Sequence, residues 1–203
     1  MWYFNGQTIK TPKEMVISDI TYPRAIFRDS DTLASLGIKP YREVTPNNRY
    51  YWNGAFTLDE SGAEVVGTYA GTARDVDTLK ENMLGVIDEQ VASKQGDIDW
   101  YWARADKGGK AVPSEISDYA TTIYSEQATK ESEVAALTTL EEIMEYENRP
   151  HTEVRKVAVY DDEGNVSYGD ETESHTRHIN MLQHWTANPT DEVDEAFVSL
   201  TAD

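Results

Sequence analysis

The chain has 203 residues, 39% of them hydrophobic, no cysteine, and 18 Lys and Arg against 37 Asp and Glu, for a net charge of −19. That charge argues against partners bound through phosphate backbones or anionic membranes, which need clustered cations, and the missing thiols exclude disulfides and thiolate-held metal. No apolar run reaches bilayer length and the start lacks a signal peptide's pattern, so a soluble chain with one or two cored domains is expected, consistent with a cytosolic origin.

Residues 1–66 read as a β-rich N-terminal module. Met1 to Phe4 is aromatic and Asn5-Gly6 is a tight-turn dipeptide, so Gln7 to Ile9 is expected to return as a hairpin strand. Tyr22-Pro23 and Phe27 supply an extended aromatic segment. Ser30 to Gly37 reads as a brief helix, capped by Ser30 or Asp31 and closed by Gly37 in the left-handed conformation. Thr45 to Trp52 is a turn feeding an aromatic strand, and Asn53-Gly54 reads as a hairpin turn before Ala55 to Leu58.

Gly67 to Thr72 reads as a linker of small residues, leading to a helical region over 73–149. Val76, Leu79, Met83, Val86 or Ile87, and Val91 recur at helical spacing, predicting a helix from about Arg74 to Lys94 that ends at Gln95-Gly96. The aromatic run Trp100, Tyr101, Trp102 follows. Pro113 opens the longest predicted element, a helix from about Ser114 to Asn148 with Ile116, Tyr119, Ile123, Val134, Leu137, Leu140 and Met144 on its apolar face. Its pattern falters between Tyr124 and Val134, the expected place for a bend or turn. An interrupted seam does not make a sustained coiled coil.

Residues 150–203 change character. Val154, Lys156, Ala158 and Tyr160 share one face of an expected strand, Asp161 to Asn165 forms a turn, and Val166 to Tyr168 returns. An acidic tail follows, with short helices expected around Arg177 to Trp185 and Asp191 to Leu200. The fold class is therefore α+β: a β-rich N-terminal module, a central helical hairpin with one long helix, and a C-terminal β-hairpin with an acidic tail.

Chemistry-bearing groupings are few. His175 and His178, on a helix, would offer two imidazoles to a divalent metal with His184 nearby, yet no third ligand sits at a recognised spacing. Asp161-Asp-Glu-Gly-Asn165 lacks the ligand spacing of a calcium loop. No serine lies in a nucleophile elbow and no glycine-rich phosphate loop is present. No enzymatic activity, cofactor or metal is therefore expected. Six residues stand out as candidates for packing or interface contacts: Tyr50, Tyr51, Trp52, Trp100, Tyr101 and Trp102, because aromatic rings dominate both cores and interface hot spots. A sugar-stacking platform is the alternative use of such rings. The net charge reads first as solubility, and more sharply as docking to a basic partner surface.

Two stretches resemble small structural proteins of tailed bacteriophages. The first comprises Met1-Trp-Tyr-Phe-Asn-Gly, Tyr22-Pro23, Leu36-Gly37-Ile38 and Arg49-Tyr-Tyr-Trp52. The second, within about Leu79 to Arg149, comprises Ile98-Asp-Trp-Tyr-Trp-Ala-Arg104, Ala111-Val-Pro113 and Ser117-Asp-Tyr119. It is similar to a pattern of tail-associated and fibre-assembly proteins, which places Thr where this chain has Ile98 and often Arg where it has Ala120. The resemblance implies a virion protein of the tail, baseplate or fibre-attachment apparatus, assembled in the host cytoplasm. It implies contacts with other virion proteins, homo-oligomeric packing, and no catalytic residues. A fibre-assembly chaperone and a carbohydrate-binding adhesin module are the rival expectations.

Overall fold

Asn5 and Gly6 both take positive φ, 49° and 79°, the mirror-image turn whose twist matches a hairpin. They join β1 (Trp2–Phe4) to β2 (Gln7–Ile9) as the sequence predicts. Ser18 and Asp19, with φ of 49° and 65°, make a second such turn between β3 (Glu14–Ile17) and β4 (Ile20–Pro23). The computed structural model describes residues 1–191, 194 and 196–202. The chain is α+β and divides into two compact units, residues 1–74 and 75–203. The segments 73–149 and 150–203, read separately from sequence, thus fall almost wholly into one unit.

In the first unit a 3-10 turn (Arg24–Arg28) precedes α1 (Ser30–Ser35). Phe27, expected in an extended segment, is buried on that turn. The helix cap is Asp29, not Ser30 or Asp31: its carboxylate accepts from the Asp31 and Thr32 amides and the Thr32 hydroxyl. Gly37 closes the helix at φ 71° as expected. Then come β5 (Lys39–Val44), β6 (Tyr51–Asp59) and β7 (Val65–Ala73). They form a sheet in the order β2-β1-β5-β7-β6, parallel between β5 and β7 and antiparallel elsewhere.

Two expectations fail here. Asn53-Gly54 is not a turn but lies inside β6, where the register with β7 shifts between Asn53 and Phe56. Gly67 to Thr72 is not a linker but belongs to β7, which is paired on both sides. Its small residues have a packing reason. A Cβ on Gly67 would lie 2.6 Å from the Phe56 ring and from the Tyr41 hydroxyl, so only glycine fits. The sheet has apolar groups on both faces: Tyr3, Tyr41 and Val65 form one cluster, while Phe27, Leu33 and Ile38, with Trp2 and Phe4 against them, form another.

The second unit opens with α2 (Val76–Asp106), capped by the Asp75 carboxylate. This helix runs straight through Gly85 and Gly96, so the predicted stop at Gln95-Gly96 is absent. The buried stripe Leu79, Met83, Ile87, Val91 is prolonged by Ile98, and that packing outweighs the roughly 1 kcal/mol each helical glycine costs. It ends where Gly108 turns to φ 79° and the Gly109 amide reaches the Arg104 carbonyl.

The expected single helix from Ser114 to Asn148 is two: α3 (Ser114–Ala136) and α4 (Leu140–Tyr146). The interruption falls at 137–139, not within 124–134, because Thr139 and Glu142 form a reciprocal capping box that starts a new helix. The longest helix is α2. It packs antiparallel on α3 as a helical hairpin, with Lys80 donating to the Ala135 and Leu137 carbonyls and Gln127 to Asp88.

The chain then enters β8 (Arg149–Tyr160), β9 (Val166–Ile179) and β10 (Phe197–Ala202), an antiparallel sheet in the order β10-β8-β9. The turn over Asp161 to Asn165 and the return strand match expectation, but β9 continues to Ile179, so no helix spans Arg177 to Trp185. Residues 172–178 are polar on both faces, and such a strand carries no alternation to read. The second expected tail helix is also absent where it is described: Phe197–Leu200 lies in β10, while Glu192, Val193 and Glu195 lie outside the described residues. No helix among the described residues is long and apolar enough to cross a membrane.

Candidate functional site

The six aromatic candidates lie in two separate places. Tyr50 is buried in the turn just before β6, where its carbonyl accepts from the Arg74 amide at 2.8 Å. Tyr51 packs its ring edge over Gly71. Trp52 is 58% exposed, with the Arg74 guanidinium carbon 3.6 Å from its ring centroid. Trp100, Tyr101 and Trp102 sit on the last turns of α2. Trp100 is half exposed and lies against Tyr101, ring centroids 3.8 Å apart. The residue of this stretch that enters the core is Ile98.

Each exposed tryptophan has an arginine over its ring. Arg104 lies 4.9 Å from the Trp100 centroid and 5.3 Å from that of Tyr101. One face of each of these rings is thus taken by a cation of the chain itself.

The histidines are not assembled. His175 and His178 lie on β9, and a three-residue separation along a strand sends them to opposite faces. His175 approaches Glu173 at 3.1 Å, while His184 lies beyond the strand with its ring 6.2 Å from that of His151. Among the described residues no group of three acidic or imidazole side chains is placed to hold a metal ion.

A polar concavity of about 610 Å³ opens beside these strands, lined by Glu153, Arg155, Arg177, His178, His184 and Asp194 among others. Its charges answer one another. Arg155 donates to Glu153 at 2.7 Å and to Asp194 at 2.6 Å, and Arg177 reaches the other Glu153 oxygen at 3.4 Å. Hydrogen bonding from Arg155, with the Arg177 charge, holds the Glu153 carboxyl below the usual carboxylate range. Both arginines are engaged, so the group reads as a fastener among β8, β9 and the segment before β10.

The distal part of the β8–β9 hairpin is different. From Val157 to Glu173 no residue is buried, on either face. Register pairs Ala158 with Tyr168 and Tyr160 with Val166, which puts these four side chains on one face. Tyr160 is 68% exposed, and Val166 and Tyr168 are exposed too. The turn at the tip is well tied: the Asp161 carboxylate accepts from the Glu163 and Asn165 amides and from the Asn165 side chain. This arm was missed as a candidate because alternation shows where a strand is but not whether either face is covered. The available signal was the pairing of Tyr160 and Val166 across a turn dense in carboxylates.

Comparisons with known proteins add no relative: no family model, no curated protein and no solved structure matches the chain.

Proposed function

We propose that this chain is a structural protein of a tailed-bacteriophage particle, in the tail, baseplate or fibre-attachment apparatus, working through protein–protein contact without a catalytic step. The phage assignment is supported by the aromatic motifs of residues 1–52 and the Asp-Trp to Val-Pro pattern before α3. The assembly assignment is supported by one observation above others. The β8–β9 arm presents Tyr160, Val166 and Tyr168 to solvent with no residue buried on either side. A two-stranded ribbon with neither face covered is marginally stable in water, and exposed contiguous aromatic and aliphatic groups mark contact surfaces.

A fibre-assembly chaperone is the second reading, favoured by the recurrence of the Val-Pro pattern in such proteins. Mass spectrometry of purified particles separates the two. A tail component is expected at a fixed stoichiometry to the other tail proteins; detection in the infected cell together with absence from particles would replace this reading with the chaperone.

A further inference from the structure

The chain's charge is divided between its units. Residues 1–74 hold eight Lys and Arg against eight Asp and Glu, whereas residues 75–203 hold 10 against 29, so the second unit carries the whole net charge of −19. The arm concentrates that excess. Between Val157 and Ser174 there are six carboxylates (Asp161, Asp162, Glu163, Asp170, Glu171, Glu173) and no Lys or Arg. They surround the exposed face of Tyr160, Val166 and Tyr168. Asp161 is occupied in the turn and Glu173 lies beside His175, leaving four acids with no ion pair among the described residues.

The first unit carries the opposite pattern. An open concavity of about 570 Å³ is lined by Trp2, Thr11, Arg24, Ala25, Phe27 and Arg28. Its apolar wall is the Trp2–Phe27 pair, ring centroids 5.2 Å apart, with Trp2 held by its indole N–H donating to the Thr11 hydroxyl. Arg24 and Arg28 are exposed at its rim, Lys13 is bonded through its carbonyl to the Arg24 amide, and Lys10 precedes Thr11. None of these four cations has an ion pair among the described residues. Of the nearby acids, Asp29 is committed to the start of α1, and Glu14 stands opposite Pro23 in the β3–β4 hairpin.

Resting on the assembly reading above, we infer that the aromatic, acid-rimmed arm of one molecule docks into the basic-rimmed Trp2–Phe27 groove of a second copy of the same chain. Charge decides the occupant. Arm against arm would oppose six carboxylates to six, and second unit against second unit would oppose two strongly acidic surfaces. The groove of another copy is the basic, aromatic surface that every molecule brings with it. A contact between two different patches is heterologous, so each molecule offers both halves and the contact repeats around a ring or along a filament. The rings supply the apolar anchor and the rim supplies orientation and encounter rate.

The test uses the purified full chain and two variants at exposed positions: Arg24→Glu with Arg28→Glu in the groove, and Glu171→Lys with Glu173→Lys in the arm. Sedimentation velocity is run on each alone and on mixtures, with circular dichroism to verify folding. The wild type is expected to self-associate at low ionic strength and to dissociate as salt screens the rim. Each variant alone is expected to associate about tenfold more weakly or worse. Mixed together, the groove variant with its intact arm and the arm variant with its intact groove should pair one to one and go no further. Zero-length carbodiimide cross-links should run between molecules, from arm carboxylates to Lys10 or Lys13. A wild type that stays monomeric at every concentration, variants that assemble like wild type, or arm cross-links confined within one molecule would each overturn the inference. Such failure leaves particle membership to mass spectrometry. Conversely, a chain missing from particles that still self-associates in this way would sink the tail reading alone.

Discussion

The Arg74 guanidinium carbon sits 3.6 Å from the centre of the Trp52 ring, at the point where the first unit ends. The Arg74 amide also donates to the Tyr50 carbonyl, so one residue closes the end of β7 onto the start of β6 by both backbone and side chain. The Arg74 Nε is enclosed and has no hydrogen-bond partner among the described residues, and the guanidinium rests on the Trp52 ring. Trp52→Ala is expected to lower the stability of the first unit by about 1 kcal/mol, the scale of an exposed cation–π contact. Arg74→Lys is expected to recover only part of it, because an ammonium does not stack as a planar guanidinium does. Urea denaturation of the two variants checks both values.

Gly67 and Gly85 should respond in opposite directions to the same change. A Cβ at Gly67 meets the Phe56 ring and the Tyr41 hydroxyl at 2.6 Å, so Gly67→Ala is expected to cost about 1–3 kcal/mol. Nothing lies within 4 Å of a Cβ at Gly85, inside α2, so Gly85→Ala is expected to stabilise by about 0.5–1 kcal/mol. Thermal unfolding ranks wild type between the two variants if the packing is as described.

Lys130 is buried on α3, donating to the Met181 carbonyl with its ammonium 4.9 Å from the Trp185 ring centroid. Desolvation lowers its pKa below the ordinary 10.5, although Glu126 and Glu133 oppose the shift. The folded state therefore binds fewer protons than the unfolded state between the lowered value and 10.5, and stability gained by deprotonation rises with pH through that window. The stability of wild type minus that of Lys130→Met should shift in favour of wild type as pH rises toward 10.5. A flat difference in chemical denaturation across that range would contradict the burial.

Glu153 behaves with the opposite charge. Hydrogen bonding from Arg155, with Arg177 contributing, lowers its pKa below 4.5, so its stabilising effect is present above 4.5 and is lost as pH falls through the lowered value. Glu153→Gln should weaken the protein at neutral pH, and the gap between variant and wild type should close on acidification. Urea midpoints measured from pH 7 downward read this directly.

The arm and the base of the same hairpin should differ in amide exchange. His151 and Glu153 are buried at the start of β8, whereas no residue from Val157 to Glu173 is buried on either face. Amides of Ala158, Tyr160, Val166 and Tyr168 are expected to exchange orders of magnitude faster than those near His151, by local opening. In the self-associated state the arm amides should become protected.

Legibility in the sequence followed how local each determinant is. Asn5-Gly6 was legible because both residues tolerate φ above zero, whereas the same dipeptide at Asn53-Gly54 stays extended within β6, where the pairing with β7 decides. The stripe from Leu79 to Val91 announced α2 because helical spacing is contained within a few turns. The six aromatic candidates were visible as a class, but not the arginine over each exposed tryptophan. Arg74 lies 22 residues from Trp52 and is brought there only by the pairing of β6 with β7.

What composition and short-range pattern determined by themselves is the α+β class, the turns at Asn5-Gly6 and Asp161 to Asn165, the helical start at Pro113 and the acidic excess. Tertiary structure alone decided that Gly67 to Thr72 is a paired strand, that α2 passes Gly96, that a new helix begins after Thr139, and that one arm has no buried residue on either face. The physical reason is the same in each case. A glycine, a polar strand or a faltering stripe has no intrinsic meaning, and its role is set by atoms distant in sequence that either fill the space beside it or leave it open.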